Sequence, residues 1–208
     1  MRVPVAAEGW PFVFLPAAAA CILGVTGWWR AAGVFGAASL ACLGFFRDPE
    51  RRTPDQPGAV VAPADGKVMD VAEVDDPWVG SAVRMSIFLS PLDVHVNRAP
   101  VTGLVASVEY AAGRFKAAYK AEASEVNERC TVSLEGDSAR VAVRQIAGVL
   151  ARRIVCRARP GDKLERGERY GLIRFGSRTD LLVPRTTEIR VRVGDRVRGG
   201  ESTMGVLR

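Results

Sequence analysis

Three short stretches of the chain carry residue types that can do chemistry. The first reads Ile173-Arg174-Phe175-Gly176-Ser177-Arg178-Thr179-Asp180. A glycine weakens a strand unless a bend, a bulge or a close backbone approach requires it. Ser177 places a hydroxyl nucleophile beside that glycine. The second, Leu89-Ser90-Pro91-Leu92-Asp93-Val94-His95-Val96-Asn97-Arg98-Ala99-Pro100, holds the sole histidine of the chain. Histidine gives and takes protons near neutral pH, and Asp93, Asn97 and Arg98 are its close sequence neighbours. The third, Ala62-Pro63-Ala64-Asp65-Gly66-Lys67, has turn composition and supplies the carboxylate of Asp65.

A serine, a histidine and an aspartate invite a hydrolase reading. The nucleophile elbow G-x-S-x-G is absent, because Phe175-Gly176 precedes Ser177 and Arg178-Thr179 follows it. The helix and strand alternation of an α/β-hydrolase is absent too. A serine hydrolase stays as an alternative that would remain a single uncleaved chain.

The elements that must position these residues are mostly strands. Apolar runs separated by turns predict strands at 60–62, 67–74, 82–89, 103–111, 130–134 and 140–146. Residues 114–128 have room for a short helix, and 149–157 fits a strand or a helix. Toward the C-terminus a weak repeat appears. Gly161-Asp162-Lys163-Leu164-Glu165-Arg166-Gly167 recurs 33 residues later as Gly194-Asp195-Arg196-Val197-Arg198-Gly199-Gly200. A Gly-Asp turn before a short strand suits a tight hairpin. The pattern resembles the hammerheads of lipoyl-like barrel-sandwich domains, so the expected fold is mainly β with such a core. No lysine-bearing carrier tip is present.

Ahead of this β-rich part lie two apolar segments. Residues 9–29 contain 21 uncharged positions, and 31–46 contain 16 more after Arg30. A helix rises about 1.5 Å per residue, so the first can cross a hydrocarbon core of about 30 Å and the second is marginal. Trp28 and Trp29 suit a membrane interface. Gly24, Gly27, Gly33 and Gly36 suit close helix approach. Arg47, Arg51 and Arg52 then place the following domain in the cytoplasm by the positive-inside rule. A cleaved signal peptide is the competing reading. The expected organisation is a membrane hairpin at 1–46, a polar linker at 47–59 and a catalytic domain at 60–208.

The net charge of +6 suits an anionic partner. Its basic residues are scattered rather than interleaved with aromatics, so no nucleic acid is expected. Cys21, Cys42, Cys130 and Cys156 include no C-x-x-C pair, and no metal site is expected.

The motifs run in order through Glu8-Gly9-Trp10-Pro11-Phe12, Phe45-Phe46-Arg47-Asp48-Pro49-Glu50-Arg51, Ala62-Pro63-Ala64-Asp65-Gly66 and Leu89-Ser90-Pro91. They continue through Val94-His95-Val96-Asn97-Arg98-Ala99-Pro100, Asn127-Glu128-Arg129, Ala151-Arg152-Arg153-Ile154 and Phe175-Gly176-Ser177-Arg178. Taken together, they resemble one family, the short prokaryotic phosphatidylserine decarboxylases. The resemblance implies a proenzyme cut between Gly176 and Ser177. Ser177 would become a covalent pyruvoyl group, leaving chains 1–176 and 177–208 as a heterodimer, with any higher oligomer left open. The pyruvoyl carbonyl would decarboxylate phosphatidylserine in an anionic leaflet of the cell membrane, giving phosphatidylethanolamine and carbon dioxide.

The resemblance also makes His95 the candidate general acid/base. Asp65 would orient His95 or support activation of Ser177. Long-form members carry H-x-x-H where this chain has His95-Val96-Asn97-Arg98. Arg98 stays protonated and cannot act as a base, so it is a candidate for binding a substrate carboxylate or phosphate. The competing function is a membrane-anchored, non-enzymatic lipoyl-like carrier or adaptor.

Overall fold

The computed structural model describes residues 4–116, 126–148, 153–174 and 177–208. The chain falls into two compact units, Met1–Glu50 and Arg51–Arg208.

In the first unit, α1 (Trp10–Val25) and α2 (Trp29–Phe45) form an antiparallel pair. Pro11 sits at the start of α1, where a missing N–H costs no helical hydrogen bond. The helical stretch Ala7–Val25 is long and apolar enough to cross a membrane, and Trp29–Phe45 is shorter. Leu15, Val25, Trp28 and Trp29 turn large apolar side chains outward. Ser39 of α2 donates its Oγ to the Val13 carbonyl at 2.8 Å, which satisfies a polar group that hydrocarbon would penalise.

The four glycines expected at helix contacts divide. Gly27 makes the turn at φ +85°, and Gly24 approaches Trp29, but Gly33 and Gly36 have open space where a Cβ would stand. Close packing at Gly33 and Gly36 is therefore not found; α2 turns Ser39 and Phe45 inward instead.

The second unit is mainly β, as the alternating apolar runs predict. Its strands begin with β1 (Ala59–Val61), β2 (Gly66–Asp76), β3 (Gly80–Leu89), β4 (Val96–Arg98) and β5 (Gly103–Ala111). There follow β6 (Arg129–Gly136), β7 (Arg140–Ile146), β8 (Ile154–Cys156), β9 (Lys163–Leu164) and β10 (Arg169–Ile173). The chain ends with β11 (Ser177–Pro184), β12 (Glu188–Ile189), β13 (Arg196–Val197) and β14 (Thr203–Val206). Of the segment 149–157, the described part contains strand β8. The short helix expected within 114–128 falls largely on residues outside the described set, as do Ala151, Arg152, Phe175 and Gly176.

Eight strands form one sheet in the order β13-β2-β3-β11-β7-β6-β5-β9, with two small sheets, β1-β14-β12 and β4-β10-β8. The large sheet has the same pattern from either end. At its centre Leu181 of β11 faces Val143 of β7, and the flanking strands repeat outward from that pair. Lys67 faces Arg196 and Gly66 faces Val197 at one edge; Leu104 faces Lys163 and Gly103 faces Leu164 at the other. Val60 faces Gly205 in one small sheet, and Asn97 faces Gly171 in the other. An approximate two-fold axis thus relates an outer half (β1–β3 and β11–β14) to an inner half (β4–β10).

The C-terminal repeat read in the sequence is one part of this duplication. Gly161 donates to Val105 O and Gly194 to Val68 O, both at 2.8 Å. Gly167 donates to Ala99 O and Gly200 to Ala62 O, again both at 2.8 Å. All four glycines have positive φ, between +78° and +104°, a region that other residues enter at a steric cost. Asp162 and Asp195 close matching turns by accepting the N–H of Arg159 and Arg192 at 2.8 Å. The missed counterpart is Ala62–Val68 repeated as Ala99–Val105, whose common residues are Ala, Pro, Gly and Val.

One buried apolar cluster runs through both halves, including Val60, Met85, Ile87, Leu134, Val143 and Leu181. The inner half is a single insertion into the outer one. The chain passes between the halves after β3, at residues 90–95, and again between β10 and β11.

Candidate active site

Both crossings carry candidate residues. β3 ends at Leu89, and a turn follows in which Asp93 N donates to Ser90 O at 2.9 Å. The Asp93 carboxylate accepts Ser90 N at 2.8 Å and lies 3.2 Å from Arg196. This turn delivers His95, which is 2% exposed, immediately before β4. His95 Nδ1 lies 2.9 Å from the Asp93 carbonyl oxygen. A carbonyl only accepts, so Nδ1 bears the proton and Nε2 is the basic nitrogen.

The second crossing brings the serine. Ile173, at the end of β10, donates its N–H to His95 O at 3.3 Å. The chain re-enters structure at Ser177, the first residue of β11, paired with Leu89. The loop that leads to His95 and the strand that starts with Ser177 therefore leave from one register position. Ser177 is fully buried, and its Oγ has no hydrogen-bond partner among the described residues. Such a hydroxyl costs stability and calls for a chemical reason. Gly176, the other residue of the expected cleavage site, lies outside the described residues.

Asp65 stands in the turn between β1 and β2. Its Oδ2 is 2.7 Å from Arg51 Nη2, and its Oδ1 accepts Gly199 N at 2.7 Å. Burial pushes its carboxyl above the ordinary value of 3.8, while the Gly199 N–H and the Arg51 guanidinium pull it back. The negative charge of Asp93 also reaches it and raises it further, linking Asp65 electrostatically to the turn that carries His95. Arg51 also reaches Glu201 at 3.1 Å, so this residue of the polar segment is held by two carboxylates.

Arg98 is 4% exposed. Its guanidinium donates to Gly167 O at 3.0 Å, and its Cδ would stand 2.8 Å from a Cβ on Gly200. It bridges the two repeat turns.

Several site residues were not singled out from the sequence. Arg51 has no local signal beyond its place in the Phe45–Arg51 motif. Arg178 and Asp180 form a fully buried pair on β11, Nε to Oδ1 at 2.6 Å, with Arg178 Nη2 also donating to Ser86 Oγ at 2.7 Å. Gln145 had a readable signal. It falls in the inward register of Val141 and Val143, where alternation predicts an apolar side chain.

Residues 39–205 match the family model for phosphatidylserine decarboxylase. The chain belongs to the phosphatidylserine decarboxylase family. Similar proteins of this family extend over its whole length. A phosphatidylserine decarboxylase proenzyme of Symbiobacterium thermophilum is 49% identical over 100% of this chain and 98% of the relative. One of Nocardia farcinica is 50% identical over 98% of this chain and 88% of the relative. One of Desulfotalea psychrophila is 43% identical over 99% and 98%. The family model begins inside α2 and ends inside β14, so it takes in His95, Asp65 and Ser177.

Proposed function

We propose that this chain is a self-cleaving, pyruvoyl-dependent decarboxylase that converts phosphatidylserine to phosphatidylethanolamine and carbon dioxide. The observation that carries the reading is Ser177 at a buried strand end, with an unpartnered Oγ among the described residues, beside the crossing that holds His95. Family membership and the name proenzyme on its relatives support it.

Ser177 Oγ attacks the carbonyl carbon of Gly176 and converts the amide to an ester. Loss of the Ser177 α-proton expels the Gly176 carboxylate. Hydration of the resulting dehydroalanine and loss of ammonia leave a pyruvoyl group at position 177. A buried strand end fits a group built from the serine already there. When formed, this group supplies the carbonyl that accepts electrons as carbon dioxide departs.

His95 Nε2 takes and returns the protons, in self-cleavage and at the substrate carbon. Asp65, held by Arg51 and Gly199, supplies negative charge near the Asp93–His95 turn. Arg98 we assign to holding the Gly167 and Gly200 turns rather than to binding substrate, because its guanidinium is buried on Gly167 O. The helix Ala7–Val25 anchors the protein in the cell membrane, with residues 51–208 on the cytoplasmic side, where an anionic leaflet attracts a chain of net charge +6.

Intact mass under denaturing conditions tests the reading. Two chains, 1–176 and 177–208, whose masses sum to the parent plus one water minus one ammonia, are expected. A single unmodified chain from folded protein would favour the non-enzymatic membrane-anchored module.

A further inference from the structure

The internal duplication supplies a control for the site. Leu181 and Val143 face each other at the centre of the large sheet. Two residues before them stand Thr179 and Val141; two residues after stand Val183 and Gln145. The two-fold relation makes Val141 the counterpart of Thr179, and Val183 the counterpart of Gln145. In the small sheets, Val60 opposite Gly205 is the counterpart of Asn97 opposite Gly171. A threonine, a glutamine and an asparagine thus each have a valine as their two-fold counterpart.

All three valines lie in the main apolar cluster. The three polar residues are fully buried and bonded to one another. Gln145 Nε2 donates to Asn97 Oδ1 at 2.8 Å, and Asn97 Nδ2 donates to Thr179 Oγ1 at 3.2 Å. Gln145 Oε1 has no partner among the described residues. Buried amides cost stability unless their hydrogen bonds are completed, and the valine counterparts show that this architecture packs with apolar residues at equivalent positions. The polar set therefore has a reason other than folding.

Its location supplies that reason. Asn97 is the second residue of β4, the strand that begins immediately after His95. Thr179 follows Ser177 by two residues in β11 and shares its face. Gln145 faces Thr179 across the β11–β7 pair. We infer that Gln145, Asn97 and Thr179 form a positioning relay that fixes β4, and with it the preceding His95, on the Ser177 strand for self-cleavage. The inference rests on the self-cleavage reading above. Asn97 and Gln145 are its centre, because their hydrogen bond joins β4 to the large sheet directly.

The test follows the appearance of the two chains during cell-free synthesis of the full-length protein, with thermal melting of each variant. The variant Asn97→Val/Gln145→Leu gives these two positions the apolar character of their counterparts, Val60 and Val183. It is expected to melt no lower than the parent and to cleave about 100-fold more slowly, the order of loss for a small misplacement of reacting groups. Gln145→Glu keeps the shape. Its protonated carboxyl can still donate to Asn97 Oδ1, and its carboxylate cannot. Cleavage in that variant is expected to fall as pH rises through the burial-raised carboxyl pKa, with no such fall in the parent. The pH profile decides the matter if the double variant does not fold. Parental rates in a folded double variant, or a parental pH profile in Gln145→Glu, would overturn the relay. A parent that stays intact would instead sink the self-cleavage reading, and the relay with it.

Discussion

Ser177 and Leu89 face each other as the terminal register pair of β11 and β3. This pair is the point at which the two halves of the β unit exchange chain. Beyond Leu89 the backbone turns toward His95, and before Ser177 it arrives from Ile173, which is bonded to His95 O. His95 and Ser177, 82 apart in sequence, thereby follow from one register pair at one end of the sheet.

The first prediction concerns the nucleophile. Ser177→Ala removes the hydroxyl and leaves a small side chain in a buried place. The variant should fold, remain one chain of 208 residues and show no decarboxylation. Denaturing electrophoresis and a carbon dioxide release assay check this. A break between 176 and 177 in that variant would exclude Ser177 as the attacking group.

His95 separates proton transfer from binding. His95→Ala should lower decarboxylation by about 100-fold or more, the usual scale of a lost general acid/base. Steady-state kinetics on phosphatidylserine in mixed micelles check it, using whatever fraction of the protein has cleaved. Full activity per cleaved chain would remove His95 from the reaction.

Asp65 predicts a pH effect with a definite sign. Its carboxyl is raised above 3.8 by burial and held down by Gly199 and Arg51. Between the unfolded value and the raised folded value, the native state binds the extra proton. This group therefore contributes stability at low pH that is lost as pH rises through its folded pKa. Function runs the other way, because the ion pair with Arg51 needs the carboxylate. The acid limb of self-cleavage should lie above the ordinary carboxylate range. Arg51→Gln removes a group that lowers the pKa, so it should move that limb to higher pH. Cleavage rates measured across the acid range check this; an unmoved limb would detach Asp65 from the step.

The Arg178–Asp180 pair predicts a stability effect. Asp180→Leu would leave the Arg178 charge buried without its carboxylate, which typically costs about 3–5 kcal/mol. Denaturant unfolding of the uncleaved Ser177→Ala background, with and without the change, gives the value. A loss below about 1 kcal/mol would show that Arg178 finds other partners as readily as in exposed pairs.

How much of this was legible beforehand varied by element. The strands at 67–74, 82–89 and 103–111 follow from alternation, because one buried face imposes a period of two. The Gly-Asp repeat was readable because positive φ selects glycine and the turn selects aspartate. Its earlier counterpart was hidden, since Ala62–Val68 and Ala99–Val105 share few residues whose chemistry is distinctive. Gly33 and Gly36 were read as contact residues from composition, but composition does not say which helix face turns inward.

The sequence by itself determined the apolar helices, the β class and the family, and it singled out Ser177, His95 and Asp65 as the candidates for chemistry. Each depends on local pattern or on motifs read in order. Only the tertiary structure decided that Arg51 holds Asp65, that Arg98 serves two glycine turns, and that Asn97 meets Gln145. Those contacts join residues 14, 69, 102 and 48 positions apart. They depend on how the inner half inserts into the outer one and on strand register, which a single sequence does not encode in any local spacing.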